Sequence, residues 1–72
     1  MTYMVYIEKD PESGMLIGYV PGLPGAHTFA ESIDELQHKL AEVILLCHEE
    51  MSSEELDNLP VFAGLTQITV PI

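Results

Sequence analysis

The groups in this chain that could do chemistry are twelve carboxylates, three histidines and one cysteine, set against two lysines and no arginine. Their spacing limits what they can do. His38 and His48 are ten residues apart on one predicted helix, about 15 Å along its axis, so they cannot share an ion. His27 lies outside that helix, and Cys47 and His48, being adjacent, point about 100° apart. None of this matches the ligand spacing of a zinc site. Asp10, Glu12 and Gly14 loosely suggest a calcium loop, but the glycine is misplaced and the closing bidentate glutamate is missing. Cys47 falls on an apolar helix stripe, where a thiol is expected to be buried and inert. The serines fall at caps and turns. Pro21-Gly22-Leu23-Pro24-Gly25 lacks the lysine of a phosphate loop. The expectation is therefore no enzyme, no metal and no cofactor.

Composition narrows the partners. The net charge is −10 in 72 residues. Bare DNA or RNA would repel such a chain, and its natural partners are basic proteins or cations. At 47% hydrophobic the sequence is too apolar for disorder. A single domain over residues 1–72 buries only about 60% of its unfolded surface, so some apolar surface is expected to lie against another chain. A lone cysteine excludes an internal disulfide and fits a reducing compartment. No apolar run reaches the roughly 18 residues of a membrane span. The N-terminus lacks the basic start of a signal peptide, so a complete, cytoplasmic chain is expected.

The elements that position these groups are organised around Gly18–Thr28. Two Pro-Gly pairs separated by Leu23 predict a stiff corner, since proline fixes φ and glycine tolerates positive φ. Leu23 is expected to pin that corner to the core. Before it, residues 2–9 and 15–20 read as strands joined by the polar loop Asp10–Gly14. Gly18 marks a bulge or a close approach. After the corner, residues 26–30 read as a third strand. Ser32-Ile33-Asp34-Glu35 is a capping box that opens a helix from Ile33 to about Met51. Ile33, Leu36, Leu40, Val43, Ile44, Cys47 and Met51 form its core stripe. Leu45 falls among charged residues and Leu46 flanks the stripe, which marks both for an oligomer contact. Ser52–Leu59 suggests a short capped turn of helix. Gln67–Ile72 reads as a last strand, with Ile68, Val70 and Ile72 on one face. The fold class is α+β, in the order β-β-β-α-β. A three-stranded antiparallel sheet is covered lengthwise by one helix, and the final strand lies at the sheet edge or is exchanged between subunits.

Tyr3–Glu8, Asp10–Gly14, Gly18–Thr28 with its specific core Pro21–Thr28, Ser32–Leu36 and Phe62–Gln67 together resemble the HicB-like antitoxins. The resemblance covers nearly the whole chain. It implies a truncated ribonuclease H-like fold without that enzyme's catalytic acids. It also implies a partner: a small basic ribonuclease toxin of the HicA type, which the antitoxin masks as a homodimer or homotetramer. Many members add a C-terminal DNA-binding domain. Here the chain ends at Ile72, so autorepression through it is not expected. On this basis Asp10, Glu12, Tyr19, His27, Glu31, Asp34 and Glu35 are the expected toxin-facing residues. Leu45, Leu46, Ile68 and Val70 are the expected oligomer contacts. The alternative is a solitary oligomeric structural or regulatory module with no toxin partner.

Overall fold

The structure, a computed structural model, describes all 72 residues. It contains β1 (Tyr6–Lys9), β2 (Leu16–Tyr19), β3 (His27–Ala30), α1 (Ile33–Glu50) and α2 (Ser53–Asp57). The strands form one antiparallel sheet in the order β1-β2-β3. Tyr6 faces Tyr19 and Lys9 faces Leu16 across the first pair; Leu16 faces Ala30 and Tyr19 faces His27 across the second. Each strand is shorter than its apolar run, because the flanking residues are drawn into turns and loops.

Both connections follow from side-chain chemistry. In the β1–β2 loop, Asp10 N–H donates to Met15 O and Gly14 N–H to Asp10 O, each at 2.8 Å. Gly14 has φ of 75°, a conformation that glycine adopts without strain. The corner is two successive turns sharing Leu23. Leu23 N–H donates to Val20 O, and Ala26 N–H donates to Leu23 O. Pro24 followed by Gly25 at φ 87° is the type II arrangement. Leu23 is 0% exposed, so the corner is anchored in the core.

The core is Val20, Leu23, Ala26, Ala30, Leu36 and Leu40. Gly18 is a close approach and not a bulge: a Cβ there would sit 2.9 Å from Leu40 Cδ1 and 3.2 Å from Leu36 Cδ2. The small residues Gly18, Ala26 and Ala30 let α1 settle over β3 and β2. This corrects the expected lengthwise cover of all three strands. The inner face of β1 is left open, and Ile7 remains exposed. The apolar stripe of α1 is accordingly graded. Leu36 and Leu40 are buried, Val43, Ile44, Cys47 and Met51 are half-buried, and Ile33 is exposed. Cys47 is thus less enclosed than the stripe implied.

Ser32 caps α1 by accepting from Glu35 N–H at 3.2 Å. The reciprocal arm differs from the expected box: Glu35 Oε2 accepts from Glu31 N–H, one residue earlier. The complete box is at α2, where Ser52 Oγ accepts from Glu55 N–H and Glu55 Oε1 accepts from Ser52 N–H.

The expected final strand at the sheet edge is not formed. Residues 60–72 are exposed and join no strand pairing. Phe62 and Leu65 border a small cleft with Met4, Val5, Tyr6 and Pro21, and every residue beyond Leu65 is exposed. The radius of gyration is 14.2 Å, where a compact chain of this length has about 11 Å. Alternating apolar residues specify a strand but not its partner, and within one chain this segment finds none. No helix is long and apolar enough to cross a membrane.

Candidate functional site

The register decides which expected residues come together. Lys9, Leu16 and Ala30 lie in one row across the sheet. The β1–β2 loop and the β3–α1 junction therefore lie at the same end. Asp10, Glu12, Glu31, Asp34 and Glu35 gather there from two separate stretches of chain. Little cation offsets them. Lys39 lies 3.6 Å from Glu35 Oε1, and its Nζ also donates to Phe29 O at 2.9 Å and sits 5.1 Å from the centre of the Phe29 ring. Of all the carboxylates, only Glu35 and, opposite His38, Glu42 lie within ion-pair distance of a possible cation. Glu49, Glu50, Glu54, Glu55 and Asp57 form a second acidic region around the far end of α1 and α2. No three or more histidine, cysteine, aspartate and glutamate side chains converge in metal-binding geometry.

Asp10 differs from its acidic neighbours. Its Oδ2 accepts from Ser13 N–H at 2.9 Å and from Ser13 Oγ at 2.6 Å. These bonds, the hydroxyl first, hold its carboxyl below the ordinary 3.8. Asp10 therefore closes the loop and is less free than Glu12 to meet a partner. A lowered folded-state pKa contributes stability that is present above the unfolded value and lost as pH falls through the folded one. The stability gap between wild type and Asp10→Ala should be constant near neutrality and close only as pH drops below 3.8. Thermal melts of both proteins across that range check this; a gap that persists in acid contradicts it.

The open face of the sheet carries the second half of the site. Tyr6, Tyr19 and His27 form one row across the three strands. The Tyr19 and His27 rings stack at 5.9 Å and 25°, and the Tyr6 and Tyr19 rings lie 6.4 Å apart. His27 Nδ1 donates to Gly25 O at 3.1 Å, which fixes its ring to the corner. Tyr6 and Phe29 were not among the expected site residues. The signal for Tyr6 was present in the spacing: it stands as far before the centre of the β1–β2 loop as Tyr19 stands after it. His48, the histidine that invites a metal reading beside Cys47, shares a 2.6 Å hydrogen bond with Tyr3 Oη. It ties the N-terminal segment to the end of α1. The expected oligomer residues separate into two groups. Leu45 and Leu46 are 62% and 60% exposed on α1, and Ile68 and Val70 lie on the extended tail.

The sequence that builds this sheet, helix and tail is similar to that of known proteins. The chain is 40% identical over 68 residues to a UPF0150 protein of Thermotoga maritima, spanning 94% of this chain and 88% of that one. The chain belongs to the UPF0150 family. A second UPF0150 protein, from Synechocystis sp., is 41% identical over 68 residues, 94% of this chain and 93% of its own length. A third, from Archaeoglobus fulgidus, is 44% identical over 55 residues, 76% of this chain and 78% of its own. With four residues at most outside the two longer matches, the UPF0150 likeness takes in the strands, both helices and the start of the tail. No family model matches the chain, and no solved structure matches it.

Proposed function

We propose that this UPF0150 protein is a HicB-like antitoxin that binds and masks a small basic RNA-cleaving toxin of the HicA type. The observation that carries this reading is the gathering of five carboxylates at one end of the sheet; the Tyr6–Tyr19–His27 row, in which Tyr19 and His27 stack and Tyr6 is tilted, lies at the other end of the open face. A ribonuclease must hold phosphates with lysine and arginine, and these are the groups that an acidic surface competes for. The charges speed and select the encounter, while the aromatic row supplies rigid anchors with little rotamer freedom to lose. Glu12, Glu31 and Asp34 meet the toxin's basic surface; Tyr19 and His27 supply the packing. The chain acts by occupancy and catalyses nothing, and it makes no direct contact with nucleic acid. Its three-stranded sheet and long helix are read as a truncated ribonuclease H-like fold, working in the cytoplasm as a homodimer or homotetramer. The resemblance of Pro21–Thr28 to the HicB-like core supports this reading.

An RNA-cleavage assay tests it. A HicA-type toxin that cleaves messenger RNA alone should be silenced by this chain at a fixed molar ratio and regain activity as salt is raised. Cleavage unchanged at any ratio and at low salt would reject the antitoxin reading. It would leave the solitary oligomeric module, which the uncharged tail favours.

A further inference from the structure

We propose that the C-terminal segment Thr66–Val70 of one chain pairs antiparallel with the free edge of β1 in a second copy of the same chain, and that the exchange is reciprocal. This goes beyond the antitoxin reading and does not rest on it. Three observations meet here. The tail is exposed and joins no strand, with Ile68 83% and Val70 59% exposed, and its one backbone bond, Ile72 N–H to Val70 O at 3.1 Å, is a local turn that pairing with β1 would replace. β1 is an edge strand, and α1 leaves its inner face uncovered. Between that face and α1 runs an open groove of about 710 Å³, ten of whose eleven lining residues are apolar, among them Tyr3, Val5, Ile7, Ile44 and Leu45.

Charge selects the occupant. The chain carries fourteen charged side chains, and none falls between Asn58 and Ile72 or between Met1 and Ile7. A basic protein would find nothing to pair with in this groove. Two copies of a −10 chain can approach only where both are uncharged, and the tail and the groove are those places. One tail on one groove is a small contact. Two, related by a two-fold axis, approach the roughly 1,600 Å² of a standard interface.

Backbone chemistry sets the direction. Asp10 N–H bonds to Met15 O, so Asp10, Glu8 and Tyr6 turn their polar backbone groups toward β2. Val5, Ile7 and Lys9 turn theirs outward. Pro71 has no N–H, so its side of the tail must face away from the ladder. Ile68 and Val70 then bond to β1. In an antiparallel pair, residues opposite one another share a face. Ile68 and Val70 therefore lie beside Val5 and Ile7, over the groove. Parallel pairing would set them on the face of Tyr6 and Glu8 instead.

Ile68→Glu combined with Val70→Glu tests this on residues that support nothing within the monomer. Light scattering and sedimentation should find the wild type as a dimer or a multiple of one. The double variant should be monomeric, with the dimer dissociation constant raised about 100-fold or more and an unchanged circular dichroism spectrum. A second test places Ile7→Cys with Val70→Cys, or Ile7→Cys with Ile68→Cys, in a Cys47→Ser background. Mild oxidation of one of these pairs should give a covalent dimer on a non-reducing gel. A monomeric wild type, an oligomer indifferent to the glutamates, or a cross-link confined to a single chain would each overturn the proposal.

Discussion

Leu23→Ala should lower the melting temperature of this protein by about 8–40 °C. Leu23 is 0% exposed and is shared by the two turns of the corner. Truncating a buried leucine costs about 2–5 kcal/mol, the lost transfer energy plus the cavity left behind. A 72-residue domain has a total stability of roughly 4–11 kcal/mol, and each kcal/mol moves the melting point of a small domain by about 4–8 °C. Leu36, the other large side chain that is fully buried, is the nearest comparison. It sits on a helix that keeps Leu40 one turn away, whereas Leu23 is the corner's only anchor between two prolines. Thermal denaturation followed by circular dichroism measures the shift. A loss below about 1 kcal/mol would show that the corner holds its shape from Pro-Gly geometry alone.

Glu12→Lys combined with Glu31→Lys should slow association with a HicA-type toxin about 10-fold or more at low salt and flatten its salt dependence. Both residues are exposed, and neither side chain holds a hydrogen bond or an ion pair, so the fold should persist. They come from different loops but lie at one end of the sheet, where the field of five carboxylates adds. The two reversals bring the net charge from −10 to −6. Glu49→Lys with Asp57→Lys makes the same change at the far acidic region and serves as the control. Electrostatic steering contributes factors of roughly 10–10³ to association rates and acts most where the charges face the partner. Stopped-flow binding at several salt concentrations separates the pairs. Equal slowing by both would mean that net charge alone matters and that this end of the sheet is not the toxin-facing surface.

The three strands, the corner and the long helix were legible in the sequence because each has a local cause. Pro21-Gly22 and Pro24-Gly25 make turns wherever they stand, and Ser32 caps whatever helix follows. What was not legible depends on pairs of residues far apart. The seating of α1 over β2 and β3 is set by Gly18 meeting Leu36 and Leu40, a contact that the helix stripe alone does not reveal. The fate of Gln67–Ile72 was open for the same reason, since period-two alternation names a strand without naming its partner. In the candidate site, the acidic end followed from the loops, and Tyr6 was marked by its spacing opposite Tyr19 about the β1–β2 loop, while its tilted contact with the Tyr19 ring is seen only in the structure. The capping arm of Glu35 reaches Glu31 N–H through Oε2, while its Oε1 lies 3.6 Å from Lys39 Nζ.

The central claim is that this UPF0150 protein holds a basic RNA-cleaving partner. The most direct test is to capture the tagged chain from its native lysate at low salt and measure the mass and composition of the eluted complex by light scattering. The account predicts a small basic protein at fixed stoichiometry, released by salt, that cleaves messenger RNA once freed. A clean homo-oligomer, eluting alone even when a HicA-type toxin is supplied in excess, would contradict it.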